Sequence, residues 1–254
     1  MDTIAVVIAR GGSRRLPRKN VRSFCGHPLV AWSIVAAACS RLVDYVYLST
    51  DDDEIAEIGK TYGVDGVIRR PDWPDADAVA ANRVYRHAIE VLEPMHGMDY
   101  TCVQLLPTSP LRKPHDIDMA VAFSREIGGQ AHLVGAAPCR ETNIYEKLLD
   151  GVCQSYTIDK SYRFLAGASG LVNICSPRWY LWFTEKLGTD QDADLDRMLH
   201  ENRHPDRVFY YSACEPWQAW ETDTEVEFEM CEIAMERMIL RGEGIGIYEK
   251  YRSA

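Results

Sequence analysis

Residues 4–9 read Ile-Ala-Val-Val-Ile-Ala, and residues 10–20 read Arg-Gly-Gly-Ser-Arg-Arg-Leu-Pro-Arg-Lys-Asn. A short, unbroken apolar run is typical of a parallel strand that is buried on both faces. A glycine pair directly after such a strand lets a ligand approach the backbone, whose N–H groups can cradle phosphate oxygens. Arg10, Arg18 and Lys19 would supply the countercharge. The stretch therefore predicts an α/β fold with a phosphate-binding loop after its first strand.

The rest of the chain continues this alternation of strands and helices. The sequence predicts further strands over residues 45–49, 66–69, 100–106, 132–136, 170–174 and 208–211. It predicts helices over residues 29–39, 51–62, 79–92, 115–126, 177–186, 192–202 and 224–241. This order indicates a doubly wound, mostly parallel sheet with helices on both faces. We expect one domain over residues 1–254, with an insertion at about 138–165 that serves as a subdomain or an oligomer contact.

Composition limits the classes of partner. The chain of 254 residues has 28 basic and 38 acidic residues and a net charge of −10. This balance argues against broad binding to nucleic acid or an anionic membrane, but it allows a local basic pocket. None of the eight cysteines forms a Cys-x-x-Cys pair, which favours free thiols in a reducing compartment. The N-terminus has no signal-peptide pattern and no apolar run reaches membrane-spanning length, so we expect a cytoplasmic protein.

Six motifs together resemble the acylneuraminate cytidylyltransferases, and they lie in the order and spacing of that family. They read ARGGSRRLPRKN (9–20), GHPLVAWSI (26–34), STDDDEIAEIGKTYG (49–63), RRPDWPDADA (69–78), LLPTSPLR (105–112) and WETDTEVEFEMCE (220–232). The resemblance implies transfer of CMP from CTP to a sugar acid of the sialic type, with release of pyrophosphate. It also implies a divalent cation, usually Mg²⁺, and a homodimer in which each active site receives part of its structure from the partner.

The resemblance assigns the first motif to the triphosphate of CTP. The assigned residues are Arg10, Gly11, Gly12, Ser13, Lys19 and Asn20. Lys19 is expected to stabilise the transition state, and Arg14 and Arg15 stand beside it with weaker assignments. Arg70 matches an arginine near the base, and Asp77 matches an acid of the family. Ala81 stands where the family can use a serine against cytosine.

Three later segments are assigned to the acceptor and the cation. Thr108 and Ser109 follow a strand directly, and Leu106 replaces a glutamine that many relatives direct toward the sugar. In the middle of the chain Arg163 matches a carboxylate-binding role, and Ser169 replaces an asparagine. Glu221 and Asp223 are two apart on an extended segment, so both carboxylates can face one hard cation. Asp223 is favoured as the direct ligand.

Several alternatives remain open at this stage. The sequence Thr224-Glu-Val-Glu227 is also a helix capping box, and the aspartates at 51–53 are favoured as helix-capping residues. His200-Glu-Asn-Arg-His204 matches a zinc-hydrolase motif, but Pro205 disfavours helical geometry at its second histidine. A nucleotide-binding relative without turnover is a non-enzymatic alternative. Leu106, Ala81 and the rewritten residues 161–170 also allow a phosphonate or another small acid as acceptor.

Overall fold

The computed structural model describes residues 1–13, 15–73, 79–126, 128, 132–137, 147–149, 152–154, 167–187, 208–211, 215–243 and 248. Its main feature is a seven-stranded sheet with the strand order β11-β7-β10-β6-β1-β4-β5. These strands are β1 (Thr3–Ile8), β4 (Tyr45–Thr50), β5 (Gly66–Arg69), β6 (Thr101–Leu105), β7 (His132–Ala137), β10 (Gly167–Cys175) and β11 (Val208–Tyr211). β10 pairs antiparallel with both β6 and β7, and the other neighbouring pairs are parallel.

Six helices within the described residues connect or flank these strands. They are α1 (Leu29–Ala38), α2 (Asp53–Thr61), α3 (Ala81–His96), α4 (Pro114–Glu126), α5 (Pro177–Leu187) and α6 (Glu225–Ala234). α6 continues through wider turns over Met235–Glu243. Short hairpins join β2 (Ser23–Phe24) to β3 (His27–Pro28), and β8 (Lys147–Leu149) to β9 (Val152–Gln154). No helix in the described ranges is long and apolar enough to cross a membrane.

Alternation along β1 sends side chains to two separate cores. Ala5 and Val7 face a core built with α1, α2 and α4, whereas Ile4 and Val6 face a core built with α3 and α5. A third core joins the outer side of α1 to α6, where Trp32 packs among residues such as Phe228. Because helices cover both faces, β1 is fully buried. The carboxyl end of β1 lies at the sheet edge, where the loop over residues 10–20 that is predicted to bind phosphate begins.

The predicted doubly wound fold is confirmed, with two departures. The strand predicted at 170–174 is longer, and it enters the sheet antiparallel between two parallel strands. The helix predicted over 79–92 begins at Ala81 and extends to His96 despite Pro94 within it. The helix predicted at 192–202 lies outside the described residues. Within residues 138–165 only the β8–β9 hairpin is described, and its role as an insertion for dimer contact stays a prediction.

Candidate active site

The loop after β1 is held by backbone and side-chain hydrogen bonds at both ends. The Ala9 N–H donates to the Ser49 carbonyl at 3.0 Å, which extends the pairing of β1 with β4. At the far end, Asn20 Nδ2 donates to the Arg10 carbonyl at 2.9 Å, so the loop closes on itself. Lys19 and Asn20 lie in a 3₁₀ turn over Lys19–Val21, and both are buried. Hydrogen bonds therefore fix both ends of the loop, while Gly12, Arg15 and Arg18 between them are exposed to solvent.

Asp223 connects this loop to the segment before α6. Its Oδ1 accepts from Lys19 Nζ at 2.8 Å, and its Oδ2 pairs with an Arg15 terminal nitrogen at 2.7 Å. Burial alone would raise the pKa of Asp223, but the two cations outweigh burial and hold the pKa below its ordinary value. Asp223 is therefore a carboxylate anion at neutral pH. The predicted phosphate-binding lysine and the predicted metal ligand thus lie side by side.

Arg18 is predicted as a countercharge for phosphate, and that role stays a prediction, because the structure shows only carboxylate partners for its side chain. It adopts a left-handed conformation with φ of 56°. Its guanidinium pairs instead with Asp52 and Glu54 at the start of α2. The hydrogen bonds that its guanidinium donates to these carboxylates raise the pKa of Arg18. Arg18 therefore attaches the outer side of the loop to α2.

The aspartates at 51–53 have three different partners. Asp52 caps α2, since its Oδ1 accepts the Ile55 N–H at 3.0 Å, as predicted. Asp51 Oδ1 accepts the Gly11 N–H at 2.9 Å, and Asp53 pairs with Arg69 at 2.8 Å. Gly11 has no room for a side chain, because a Cβ there would lie 2.9 Å from the Cβ of Asp52. The start of α2 thus fixes the first glycine of the loop.

Arg70 lies deeper at the same edge. Its terminal nitrogen donates to the Ser49 carbonyl at 3.0 Å. Burial lowers its pKa to about 10, the negative charge of Asp51 opposes this shift, and the positive charge of Arg10 adds to it. The positive charges of Arg70 and Arg10 therefore repel each other next to the loop. An anion binding between them would relieve that repulsion.

The predicted acceptor loop at residues 106–112 is attached to the acidic segment. The Thr222 N–H donates to the Thr108 carbonyl at 2.9 Å, and Ser109 Oγ donates to Glu221 Oε1 at 3.2 Å. Ser109 is fully buried, so its hydroxyl serves this contact within the fold. Leu106 packs on the core formed with α3 and α5. Its carbonyl, rather than a polar side chain, is the hydrogen-bonding group at this position.

Arg112 organises this loop and is the residue whose role sequence reasoning missed. Arg112 is 1% exposed, and its guanidinium donates to Leu106 O at 2.9 Å, to Ser33 Oγ at 2.6 Å and to Leu171 O. Burial lowers its pKa to about 10. The only sequence signal was its place at the end of LLPTSPLR. Arg112 thus joins the end of β6 to β10, next to both segments assigned to the acceptor.

A cavity of about 490 Å³ lies beside the acidic segment. It is lined by Ala219, Trp220, Glu221, Asp223, Glu227 and Met230. Both predicted cation ligands therefore reach one space. Among the residues that the structure describes, no cluster of three or more histidine, cysteine or acidic side chains could hold a metal ion. Two carboxylates suit Mg²⁺, which keeps several waters and takes its remaining ligands from substrate phosphates.

The remaining predicted residues are only partly placed. Ala81 begins α3, with Ala80 as a helix cap that makes no side-chain hydrogen bond. Ser169 belongs to β10 by its backbone. Asp77, Arg163 and the motif at residues 200–204 lie outside the described residues. The capping box formed by Thr224 and Glu227 is confirmed. It does not use Asp223, so helix capping and cation binding by Asp223 are compatible.

Several known proteins are similar to part of this chain in sequence, and solved structures are similar to it in fold. A pseudaminic acid cytidylyltransferase from Campylobacter jejuni is 36% identical over 138 residues, which are 54% of this chain and 58% of that protein. A CMP-N,N'-diacetyllegionaminic acid synthase from Legionella pneumophila is 38% identical over 133 residues, 50% of this chain and 55% of that protein. The chain thus spans a little more than half the length of these curated relatives.

A solved structure extends the likeness in fold over most of the chain. It is a CMP:2-keto-3-deoxy-manno-octonic acid synthetase complexed with CTP, with a TM-score of 0.67 at 17% identity, covering 94% of this chain and all of that one. At that identity the likeness shows the fold alone. The family model described as cytidylyltransferase matches residues 4–137, which include the first five of the six motifs. On that match, the chain belongs to the cytidylyltransferase family.

Proposed function

We propose that this protein transfers CMP from CTP to a sialic-acid-like (nonulosonic) sugar acid. The acceptor hydroxyl attacks the α-phosphorus, the bond to the β-phosphate oxygen breaks, and pyrophosphate and a proton leave. The observation that carries the proposal is the partly buried contact of Lys19 with Asp223, which joins the loop after β1 to the acidic segment. The names of the relatives, which act on pseudaminic and legionaminic acids, supply the class of acceptor.

Each end of the site has a separate role. Lys19 would stabilise charge that develops on the phosphates, since a preoriented buried cation acts most strongly there. Arg10 and the N–H groups of Gly12 and Ser13 would hold phosphate oxygens, whereas the Gly11 N–H already donates to Asp51 and would shape the loop. Arg70 would contact the base together with the backbone near Ala81. The loop at 106–112, together with Arg163 and Ser169, would make the polar contacts to the acceptor sugar acid.

We further propose that Asp223, with Glu221 beside it, holds Mg²⁺. Bound there, the cation would neutralise phosphate charge and help to orient the triphosphate. Asp223 would contact it directly through Oδ2, whose partner Arg15 is exposed, while Glu221 would stay hydrogen-bonded by the buried Ser109. A homodimer and a cytoplasmic location also remain proposals. The family resemblance supports the dimer, and the free thiols of Cys25, Cys39, Cys102, Cys175 and Cys231 support a reducing compartment.

The test is pyrophosphate release from CTP, UTP, ATP or GTP with a panel of acceptors. The panel holds pseudaminic, legionaminic and N-acetylneuraminic acids, 2-keto-3-deoxy-manno-octonic acid and one phosphonate, and mass spectrometry identifies each CMP conjugate. We expect activity with CTP and at least one nonulosonic acid, and loss of activity in EDTA. Turnover of the phosphonate alone would favour the other acceptor class, which the apolar Leu106 allows. Release with no acceptor would overturn the proposal.

Variants then test the residue roles. Lys19→Ala should lower kcat/KM by about 100-fold or more, while Arg178→Ala should leave it unchanged. Arg178 pairs with Asp99 at the surface and is an equally charged control. Asp223→Asn should raise the Mg²⁺ concentration for half-maximal rate more than Glu221→Gln does. Circular dichroism would verify that the Lys19→Ala protein is folded. Near-normal activity of that folded protein would contradict a catalytic role for Lys19.

A further inference from the structure

Two buried polar side chains hold the segment that carries Glu221 and Asp223. Within residues 217–227, only Gln218, Thr222 and the core residue Phe228 that follows this range lack exposed surface, and the first two are polar. Glu221 lies between these two polar side chains, and Asp223 directly follows the second. The contacts of the two side chains therefore determine where the carboxylates lie.

Gln218 is bound through both ends of its side-chain amide. Its Nε2 donates to the Leu111 carbonyl at 2.9 Å and to Asp116 Oδ2 at 2.7 Å, which uses both of its N–H groups. Its Oε1 accepts the Glu215 N–H at 2.8 Å, as part of the capping box of the 3₁₀ turn over Pro216–Ala219. An amide suits this position because it carries two donors and an acceptor on one buried group.

Asp116 is the buried side chain that receives one of these hydrogen bonds. It lies in the first turn of α4 and is 3% exposed, and its Oδ2 also accepts the Lys113 N–H at 2.7 Å. Burial raises the pKa of Asp116, and the two hydrogen bonds oppose that shift. Its Oδ1 has no hydrogen-bond partner among the described residues. Asp116 therefore holds Gln218 at the start of α4 through a single oxygen.

The two buried side chains contact the same loop. The Thr222 N–H donates to the Thr108 carbonyl at 2.9 Å, and Gln218 reaches the Leu111 carbonyl three residues further along. This loop at 106–112 is assigned to the acceptor, whereas the segment after Gln218 is assigned to the cation. Transfer requires the acceptor hydroxyl to lie in line with the bond that breaks at the α-phosphorus. The two contacts thus set the position of the cation ligands relative to the acceptor loop.

We propose that Gln218 is a positioning residue of this active site, which together with Asp116 sets the register of the Glu221 and Asp223 carboxylates against the acceptor loop. This inference rests on the proposed function, since the cation and the acceptor are those of the proposed reaction. Gln218 is fully buried, so it acts through the backbone that joins it to Asp223 rather than through contact with a substrate. Its loss should therefore weaken the contribution of the cation and leave the phosphate loop unchanged.

The experiment is calorimetric titration of CTP into the full chain without acceptor, once in excess Mg²⁺ and once in EDTA. The ratio of the two affinities measures how much Mg²⁺ strengthens CTP binding. Gln218→Met keeps the length of the side chain and removes its hydrogen bonds. It should reduce this ratio about tenfold, the lower end of what loss of an outer hydrogen bond costs a metal site. Its CTP affinity in EDTA should change less than about twofold.

A matched control separates positioning from a general loss of stability. Leu92→Ala creates a cavity in the core built with α3 and α5, where Leu92 is fully buried. It should lower the melting temperature, as Gln218→Met does, but leave the Mg²⁺ ratio at the wild-type value. An equal fall of the ratio in both variants would show that Gln218 has only a structural role and would overturn the inference.

Variants of Asp116 keep the inference testable if Gln218→Met does not fold. Asp116→Ala removes one partner of Gln218 and should reduce the Mg²⁺ ratio by less than Gln218→Met does. Asp116→Asn keeps an oxygen for Gln218 and should recover most of that loss. A wild-type ratio in Gln218→Met or Asp116→Ala, or equal losses in the two Asp116 variants, would overturn the inference. A wild-type chain that does not bind CTP, or binds it equally well without Mg²⁺, would instead contradict the proposed function.

Discussion

Replacement of Arg112 by methionine tests whether one buried guanidinium maintains the acceptor side of the site. Methionine has a similar length and keeps most of the apolar contact of the arginine stem. It removes the donors that Leu106 O, Leu171 O and Ser33 Oγ receive from Arg112. Leu171 lies where the pairing of β10 with β7 shifts register, between Ala168 and Asn173. Its carbonyl therefore depends on a side-chain donor.

The size of the effect follows from these partners. A buried carbonyl that loses its donor costs about 1–3 kcal/mol. Leu106 O keeps a 3.3 Å contact from the Ser109 N–H, so its loss is partial. The variant also no longer buries a charge, which offsets part of the cost. We therefore expect a net loss of about 2–3 kcal/mol, or roughly 5–10 °C in Tm for a chain of this size.

Urea unfolding followed by circular dichroism measures this loss, and steady-state kinetics measures its consequence. If Arg112 positions the loop at 106–112, KM for the sugar acid should rise more than KM for CTP, because Leu106 and Leu171 flank the acceptor segments. Ser33→Ala removes one of the three acceptors and should show a smaller change in the same direction. A methionine variant within about 0.5 kcal/mol of wild type and with unchanged KM for both substrates would refute the reasoning.

Three other changes test the attachment of the phosphate loop. Gly11→Ala should lower the urea midpoint, because its Cβ would lie 2.9 Å from the Cβ of Asp52; an unchanged midpoint would show that the loop can shift. Arg18→Gly should melt about 2–4 °C above Arg18→Ala, since both lose the pairs with Asp52 and Glu54 but only glycine relieves the left-handed backbone. Equal melting points would argue against strain there. The pKa of Asp223 lies below its ordinary 3.8, so its stabilisation is present above about pH 4 and is lost as pH falls further. Unfolding free energies from pH 2.5 to 6 should therefore fall less steeply with acid in Asp223→Asn than in wild type.

Local patterns were enough to predict most elements of the fold. The run at residues 4–9 became β1, and the acidic start and the glycine after residues 51–62 marked α2 and its end. Each of these signals lies within a few residues of the element that it specifies. The position of β10 was not predictable in this way. Its antiparallel entry between β6 and β7 depends on partners about 30 to 70 residues earlier in the chain, and apolar periodicity carries no information on strand direction.

The same distinction explains which site residues could be predicted. The glycine pair and Lys19 could be singled out because a strand followed by a basic, glycine-rich loop is a local pattern that depends on nothing elsewhere in the chain. The roles of Arg15, Arg18 and Arg112 could not be read in this way, since three arginines look alike in sequence. Their partners, at Asp223, Asp52 and Leu171, differ in charge, burial and distance along the chain. Arg15 makes an exposed ion pair with the acidic segment, Arg18 attaches the loop to the start of α2, and Arg112 is a buried link between strands. For this chain, the function of a cation therefore follows from which acceptor it reaches and how much water remains there.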